Sequence, residues 1–170
     1  GILTVPTGAE APVPGVVMLH GTGSNLHEVN GAYDMAAAEM ARQGLATLRF
    51  NFMGIGDGKE AEYVGYSYTS ANVDAKAAAD YLAGLDAVNG EALAVMGWSQ
   101  GGTNALLAAA AYPETFQAVV TWAGALELGT MFDDFDKAAA EAKEKGSYTM
   151  TFDWRTDLPV GSQWFEDVAN

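Results

Sequence analysis

The sequence predicts a three-layer α/β/α sandwich built on a mostly parallel sheet. Along the first 124 residues, short apolar runs alternate with segments whose apolar residues have helical spacing. The apolar runs are continuous, which is typical of strands that are covered on both faces. Strands of this kind that alternate with helices form parallel sheets with a helix layer on either side.

Four apolar runs predict the strands of this sheet. They are residues 16–19, 45–50, 93–96 and 118–122. Helices are predicted between them, and each ends near a glycine or proline that stops it. They are residues 33–43, residues 70–82 with Ser70 or Asn72 as the cap, and residues 104–111. The stretch 4–15 is expected to be an edge hairpin or loop, and the stretch 51–58 a connecting loop.

The pattern changes in the last third of the chain. Asp133 or Asp134 is expected to cap a further helix. Residues 148–165 mix aromatic with charged side chains and are not predicted to form a sheet strand. We therefore expect a core, residues 1–124, and a cap-like segment, residues 125–170, that lies over the functional site.

One pentapeptide points to the chemistry of the chain. Gly97-Trp98-Ser99-Gln100-Gly101 has the form G-x-S-x-G and stands between an apolar run and a helix-forming run. A serine on a tight turn between a buried strand and a helix is the typical position of a hydrolase nucleophile. The small flanking residues permit a strained turn, and the helix N-terminus favours the negative charge that develops during acyl transfer. This pattern predicts that Ser99 is a nucleophile.

Such a nucleophile needs hydrogen-bond donors for the oxyanion. In this architecture one donor is the N–H of the residue after the serine, here Gln100, and the other lies in the loop after an earlier strand. That loop begins with His20-Gly21-Thr22, so the Thr22 N–H is the candidate. His20 and Gly21 are expected to support the geometry of the loop, and a plain strand-ending turn is the alternative interpretation.

The general base and its acid remain unassigned. The chain has two histidines, and both precede Ser99. One is His20, in the loop just described, and the other is His27, for which a surface or loop-packing role is the stronger interpretation. Glu127 follows the last predicted strand and is better explained as a solvated loop carboxylate than as the acid of a catalytic triad.

Composition excludes several function classes. Without cysteine, the chain has no disulfide, thiolate nucleophile or cysteine-bound metal. A net charge of −14 argues against nucleic acid and anionic membranes as partners. This charge is explained by solubility or a salt-adapted source, and selection of a cationic substrate is the alternative. No apolar run approaches membrane-spanning length, so we expect a soluble protein with the cytoplasm as the favoured compartment.

No cofactor and no metal are expected. The stretch 51–58 contains G-x-G but lacks the third glycine of the dinucleotide fingerprint and does not lead directly into a helix. The carboxylates within residues 133–136 lie at one helix end, where capping and the helix dipole explain them. Carboxylates at one helix end do not converge on a cation without other ligands.

Three motifs in order resemble the α/β-hydrolase superfamily: His20-Gly21-Thr22-Gly23, residues 48–56, and residues 97–102. The resemblance is nearest to bacterial carboxylesterases of the cinnamoyl and feruloyl esterase type and to related peptidase-like hydrolases. It covers residues 1–124 and continues more weakly at residues 153–155 and 164–167. It implies a small-molecule ester substrate, with Ser99 as nucleophile and Thr22 and Gln100 as oxyanion donors. The family usually has an aromatic or aliphatic residue at the position of Thr22 and an aspartate at the position of Asn51.

In that family the histidine and the acid lie beyond the cap, and no counterpart is found before Asn170. The first hypothesis is therefore an incomplete, truncated form of an ester hydrolase. The second is a non-catalytic binding protein on a shortened core, whose open edge at residues 118–122 pairs with a second copy or another chain. The third is one half of a two-chain hydrolase. Enzyme assays, light scattering and a co-purifying partner distinguish the three.

Overall fold

A computed structural model describes residues 1–10, 12–55, 60–153 and 155–170 of the chain. Its main sheet has five strands in the order β1-β3-β2-β4-β5. They are β1 (Ile2–Thr4), β2 (Val13–Leu19), β3 (Ala46–Arg49), β4 (Val88–Trp98) and β5 (Ala118–Trp122). β1 runs antiparallel to β3, and the other three pairings are parallel. The mostly parallel sheet is thus confirmed.

Three helices connect the strands: α1 (Ala32–Arg42), α2 (Tyr68–Ala83) and α3 (Gln100–Ala111). Alternate residues of β2 enter two separate apolar clusters, Val17 in the larger and Met18 in the smaller. Buried residues of α2 and α3 belong to the larger cluster and those of α1 to the smaller. Because side chains alternate across a strand, the helices cover opposite faces of the sheet and form the expected three layers.

Helix α2 begins earlier than the predicted caps Ser70 and Asn72. Ser67 is the N-cap, and its hydroxyl accepts the N–H of Ser70 at 3.1 Å. The Ser70 hydroxyl oxygen in turn accepts the N–H of Ser67 at 2.9 Å. Serine therefore performs the reciprocal part of a capping box that glutamate usually provides.

The last third of the chain adds two helices and a small sheet. They are α4 (Phe135–Lys145), β6 (Tyr148–Phe152), β7 (Arg155–Val160) and α5 (Ser162–Ala169). The β6 and β7 strands pair antiparallel, so the prediction of no sheet strand in residues 148–165 is wrong. The exposed side chains of Thr149 and Thr151 alternate with more buried neighbours on β6, which is the period of a half-buried strand. Asp134 caps α4 by accepting the N–H of Lys137 at 3.0 Å, as one of the two predicted caps.

The residues beyond 125 pack on the main sheet domain through α5. Trp164 is buried in the same apolar cluster as α2, with its ring centroid 6.0 Å from that of Tyr68. Asp167 accepts the N–H of Thr69 at 2.7 Å, at the start of α2.

None of the helices in the described parts of the chain is long and apolar enough to cross a membrane. The predicted loop at residues 51–58 is described only as far as Ile55; its residues 56–58, like Trp154, lie outside the described residues.

Strand β5 differs from the strands that are covered by helices on both faces of the sheet. It forms one edge of the main sheet, and all five of its residues are exposed. Val119, Val120 and Trp122 are large apolar side chains among them. An exposed apolar edge strand presents unpaired backbone groups to other chains.

Asp34 of α1 joins the helix to the sheet edge. Its carboxylate lies 2.6 Å from Arg49 Nη2 on β3 and 2.8 Å from His27 Nδ1. Arg49 also donates to the Thr4 hydroxyl of β1 at 3.2 Å. Partial desolvation acts to raise the pKa of Asp34, but the hydrogen bonds from His27 and Arg49 prevail and lower it.

We predict that Asp34→Asn lowers the Tm at pH 7 by several degrees, because it leaves the buried guanidinium of Arg49 without its carboxylate partner. A lowered folded-state pKa adds stability above the unfolded-state pKa, and this is lost as pH falls through the folded-state pKa. The difference between wild type and variant should therefore shrink as the pH falls below about 4. Thermal melts across pH test this, with the exposed Asp133→Asn as control. A constant difference down to pH 2 would contradict it.

Candidate active site

Ser99 occupies a strained turn where β4 meets α3. Its backbone angles are φ 51° and ψ −123°, outside the regions that non-glycine residues normally adopt. The Ser99 N–H donates to the Trp122 carbonyl at 3.0 Å. Its own carbonyl accepts the N–H of Gly102 at 2.9 Å and that of Ala125 at 3.0 Å. Strain of this kind persists only where the surrounding bonds enforce it, and it concentrates at functional sites.

The two glycines of the pentapeptide are required by close backbone contacts. A Cβ atom on Gly97 would overlap the backbone carbonyl of Gly101. A Cβ atom on Gly101 would overlap the carbonyl oxygen of Leu19, at the end of β2. The turn therefore lies directly against the end of β2, and the loop that follows β2 is brought to Ser99 by this contact.

His20 is buried in that loop, with 1% of its surface exposed. Its Nε2 atom accepts the N–H of Phe52 at 3.0 Å, so Nδ1 carries the proton and donates to the Gly21 carbonyl at 2.8 Å. Both ring nitrogens are engaged in holding the loop, and neither is available to take a proton from Ser99. The supporting role of His20 stays a prediction, and these two bonds are the contacts on which it would depend.

The side chains of Thr22 and Gln100 are hydrogen-bonded to each other. The Thr22 hydroxyl donates to Gln100 Oε1 at 2.7 Å. Gln100 Nε2 donates to the Tyr66 hydroxyl at 2.5 Å, and Asn104 Nδ2 donates to the same oxygen at 2.8 Å. Burial raises the pKa of Tyr66, so this phenol stays neutral. The network connects the two residues predicted to supply oxyanion donors.

Glu28 is a residue of the site that the sequence analysis missed. It is 6% exposed, and its Oε1 atom accepts the N–H of Gly21 at 2.5 Å. Its Oε2 atom accepts the N–H of Val29 at 3.0 Å. The backbone of Glu28 has φ 58° and ψ −175°, a region that essentially only glycine occupies. No pattern of neighbouring residues marks it, because the bond to Gly21 spans a loop.

A cavity of about 480 Å³ adjoins Ser99. Its walls come from the loop after β2, the turn at Ser99 and the last third of the chain. The lining residues are Gly21, Thr22, Ser24, Glu28, Val29, Trp98, Ser99, Met131 and Phe152. The structure thus brings the predicted nucleophile together with Gly21 and Thr22, under Met131 and Phe152 of the predicted cap.

The other candidate residues are placed elsewhere. His27 is hydrogen-bonded to Asp34 and its side chain is 52% exposed. Glu127 lines a different cavity from that of Ser99. Within the described residues, no three acidic or histidine side chains are grouped so that they could hold a metal ion.

Comparison with known proteins supports a hydrolase. Residues 10–169 match the family model of the serine aminopeptidases, S33. A curated relative, the 2,6-dihydropseudooxynicotine hydrolase of Paenarthrobacter nicotinovorans, is 33% identical over 154 residues, which are 88% of this chain and 37% of the relative. The chain therefore spans little more than a third of that protein's length.

Solved structures share the fold. The structure of Est1E from Butyrivibrio proteoclasticus with bound ferulic acid matches 97% of this chain and 64% of its own, with a TM-score of 0.73 and 20% identity. A dienelactone hydrolase from Anabaena variabilis matches 76% of this chain and 59% of its own, with a TM-score of 0.59 and 27% identity. These matches confirm the resemblance drawn from the three motifs, and the chain belongs to the serine aminopeptidase S33 family of the α/β-hydrolase superfamily.

Proposed function

We propose that this chain carries the nucleophile and oxyanion hole of a serine hydrolase that cleaves small carboxylic esters. The observation that carries the proposal is the strained turn at Ser99, whose backbone N–H and carbonyl are both hydrogen-bonded. Ser99 lines a cavity that is also lined by Thr22. In this role the N–H groups of Thr22 and Gln100 donate to the oxyanion. The dienelactone hydrolase named above supports an ester-like substrate, since a lactone is a cyclic ester.

The reaction proceeds through an acyl-enzyme. Ser99 Oγ attacks the ester carbonyl and its proton passes to a general base. Collapse of the tetrahedral intermediate expels the alcohol, which takes that proton, and water then releases the acid by the reverse sequence.

The base is proposed to come from outside these 170 residues. His20 holds the loop through both ring nitrogens, and His27 is bonded to Asp34. A histidine from a longer form of the protein, or from a second chain, would complete the site. On this proposal the chain alone is nearly inactive, because loss of a triad member costs several orders of magnitude in rate.

A second candidate function is binding through the edge of the sheet. It is favoured by one observation, the exposure of all five residues of β5. Two copies related by a twofold axis would pair their β5 strands antiparallel and continue the sheet. In this case the cavity at Ser99 would bind rather than convert its ligand.

We predict that imidazole, which replaces the missing base, promotes acetylation of Ser99 by p-nitrophenyl acetate. Peptide-level mass spectrometry should detect an acetyl group on Ser99 in the wild-type chain and none at this position in Ser99→Ala. Two outcomes would contradict the proposal. Ser99-dependent turnover without imidazole would reveal an internal base. Absence of acetylation in the presence of imidazole would refute the assignment of Ser99 as the nucleophile.

Thr22→Val is predicted to slow this imidazole-assisted acetylation by about tenfold or more, because the loop that supplies one donor loses its bond to Gln100. The unpaired Gln100 oxygen should also lower the stability by about 1–3 kcal/mol. The matched control is Thr47→Val, which removes a buried hydroxyl that has no hydrogen-bond partner among the described residues and should leave both quantities unchanged. Equal acetylation rates in wild type and Thr22→Val would exclude this role of the network.

If β5 mediates self-association, Val120→Lys should convert a dimer to a monomer, since lysine on an edge strand opposes pairing. Multi-angle light scattering across a concentration series measures this. Val73→Lys is the control, because Val73 is an equally exposed valine on α2. A wild-type chain that stays monomeric at all concentrations rules out the second candidate.

A further inference from the structure

The carboxylate of Glu28 lies close to the predicted nucleophile. A Cβ atom placed on Gly21 would be 3.3 Å from Glu28 Oε1 and 3.3 Å from Ser99 Cβ. The distance from Glu28 Oε1 to Ser99 Cβ therefore cannot exceed the sum of these two distances. Both residues line the same cavity.

Among the described residues that line the cavity, this carboxylate has no cationic partner. Glu28 is the one ionisable side chain in the described part of the lining, where the large side chains Val29, Trp98, Met131 and Phe152 are apolar. Its carboxylate accepts N–H groups from Gly21 and Val29. A carboxylate has about four acceptor positions, so capacity remains for a ligand.

Tyr33 is a neighbour of Glu28 behind the cavity wall. Burial and then the proximity of Glu28 raise the pKa of Tyr33, whose hydroxyl donates to the Leu19 carbonyl at 2.7 Å. Tyr33 is therefore neutral and adds no second negative charge beside the carboxylate. An apolar wall strengthens electrostatic interactions with a bound ligand, because it lowers the local dielectric constant.

The backbone of Glu28 adds an independent observation. Backbone strain of this kind persists only where the surroundings enforce it, and it concentrates at functional sites. Glu28 holds its carboxylate beside Ser99 at the cost of a conformation that glycine would adopt more easily.

We propose that Glu28 is a specificity-determining residue that selects substrates bearing an ammonium group, or another cationic group, next to the scissile bond and rejects anionic ones. The inference rests on the proposed function, because it takes the Ser99 cavity as the place where substrate binds. It goes beyond that function in assigning a charge to the substrate.

Binding of three aromatic probes tests the proposal without any catalytic step. Benzylammonium, benzyl alcohol and benzoate are titrated into the ¹⁵N-labelled chain, and amide shifts of Gly21, Thr22 and Val29 give the dissociation constants. Benzylammonium should bind at least about tenfold more tightly than benzoate, with benzyl alcohol between them. Titrations in about 1 M sodium chloride, where the Debye length is ~3 Å, remove the contribution of the overall negative charge.

Variants locate the preference at Glu28. Glu28→Gln should abolish it, whereas the exposed Glu91→Gln, which removes the same charge elsewhere, should preserve it. Should Glu28→Gln fail to fold, Ser24→Lys places a compensating cation on the cavity wall and should also abolish it.

Three results overturn the inference: equal affinities for the probes in wild type, no shift of the three amides with benzylammonium, or a preference that survives in Glu28→Gln. The Ser99→Ala variant separates this test from the proposed function. It should retain the full charge preference although it cannot be acetylated, so failure of the nucleophile proposal and failure of the charge proposal give different results.

Discussion

The close contact between the turn at Ser99 and the end of β2 is the constraint on which the site depends. Gly101, in the first turn of α3, lies so near the Leu19 carbonyl that a single Cβ atom would force α3 away from the end of β2. The parallel pairing of Leu19 with Gly97 sets this approach, and the Ser99 carbonyl then bonds Gly102 and Ala125. Because three segments converge on one backbone turn, the strain at Ser99 is held by the fold rather than by any single bond.

The loop after β2 has little regular structure of its own, and buried polar groups determine its shape. His20 bonds Phe52 on one side, Glu28 bonds Gly21 on another, and Thr22 bonds Gln100 across to α3. The bonds to Phe52 and Gln100 join segments far apart in the sequence, so the shape of the loop depends on α3 and on the segment following β3. Buried polar networks of this kind fix a single arrangement when every member is bonded.

The fold and the turn could be predicted from the sequence because both depend on local rules. Continuous apolar strands imply a covered parallel sheet, and the G-x-S-x-G pattern marks a tight strand-to-helix turn even though one of its glycines is required by a contact with β2. Glu28 could not be predicted, since its role comes from a backbone angle and from a bond across a loop. Strand β6 was missed for a different reason: its alternation of threonine with larger apolar residues was present in the sequence, but charged neighbours obscured it.

The position of Glu28 also bears on how an oxyanion could form in this cavity. A carboxylate near the carbonyl carbon opposes the growth of negative charge on the carbonyl oxygen, so by itself it would slow acylation. The N–H groups of Gly21 and Val29 offset part of this charge, because each places a positive dipole end against a carboxylate oxygen. A cationic substrate would offset the remainder only when it is bound. The carboxylate would then slow the acylation of Ser99 by neutral and anionic esters but not by cationic ones. The enzyme would thereby discriminate in favour of cationic substrates.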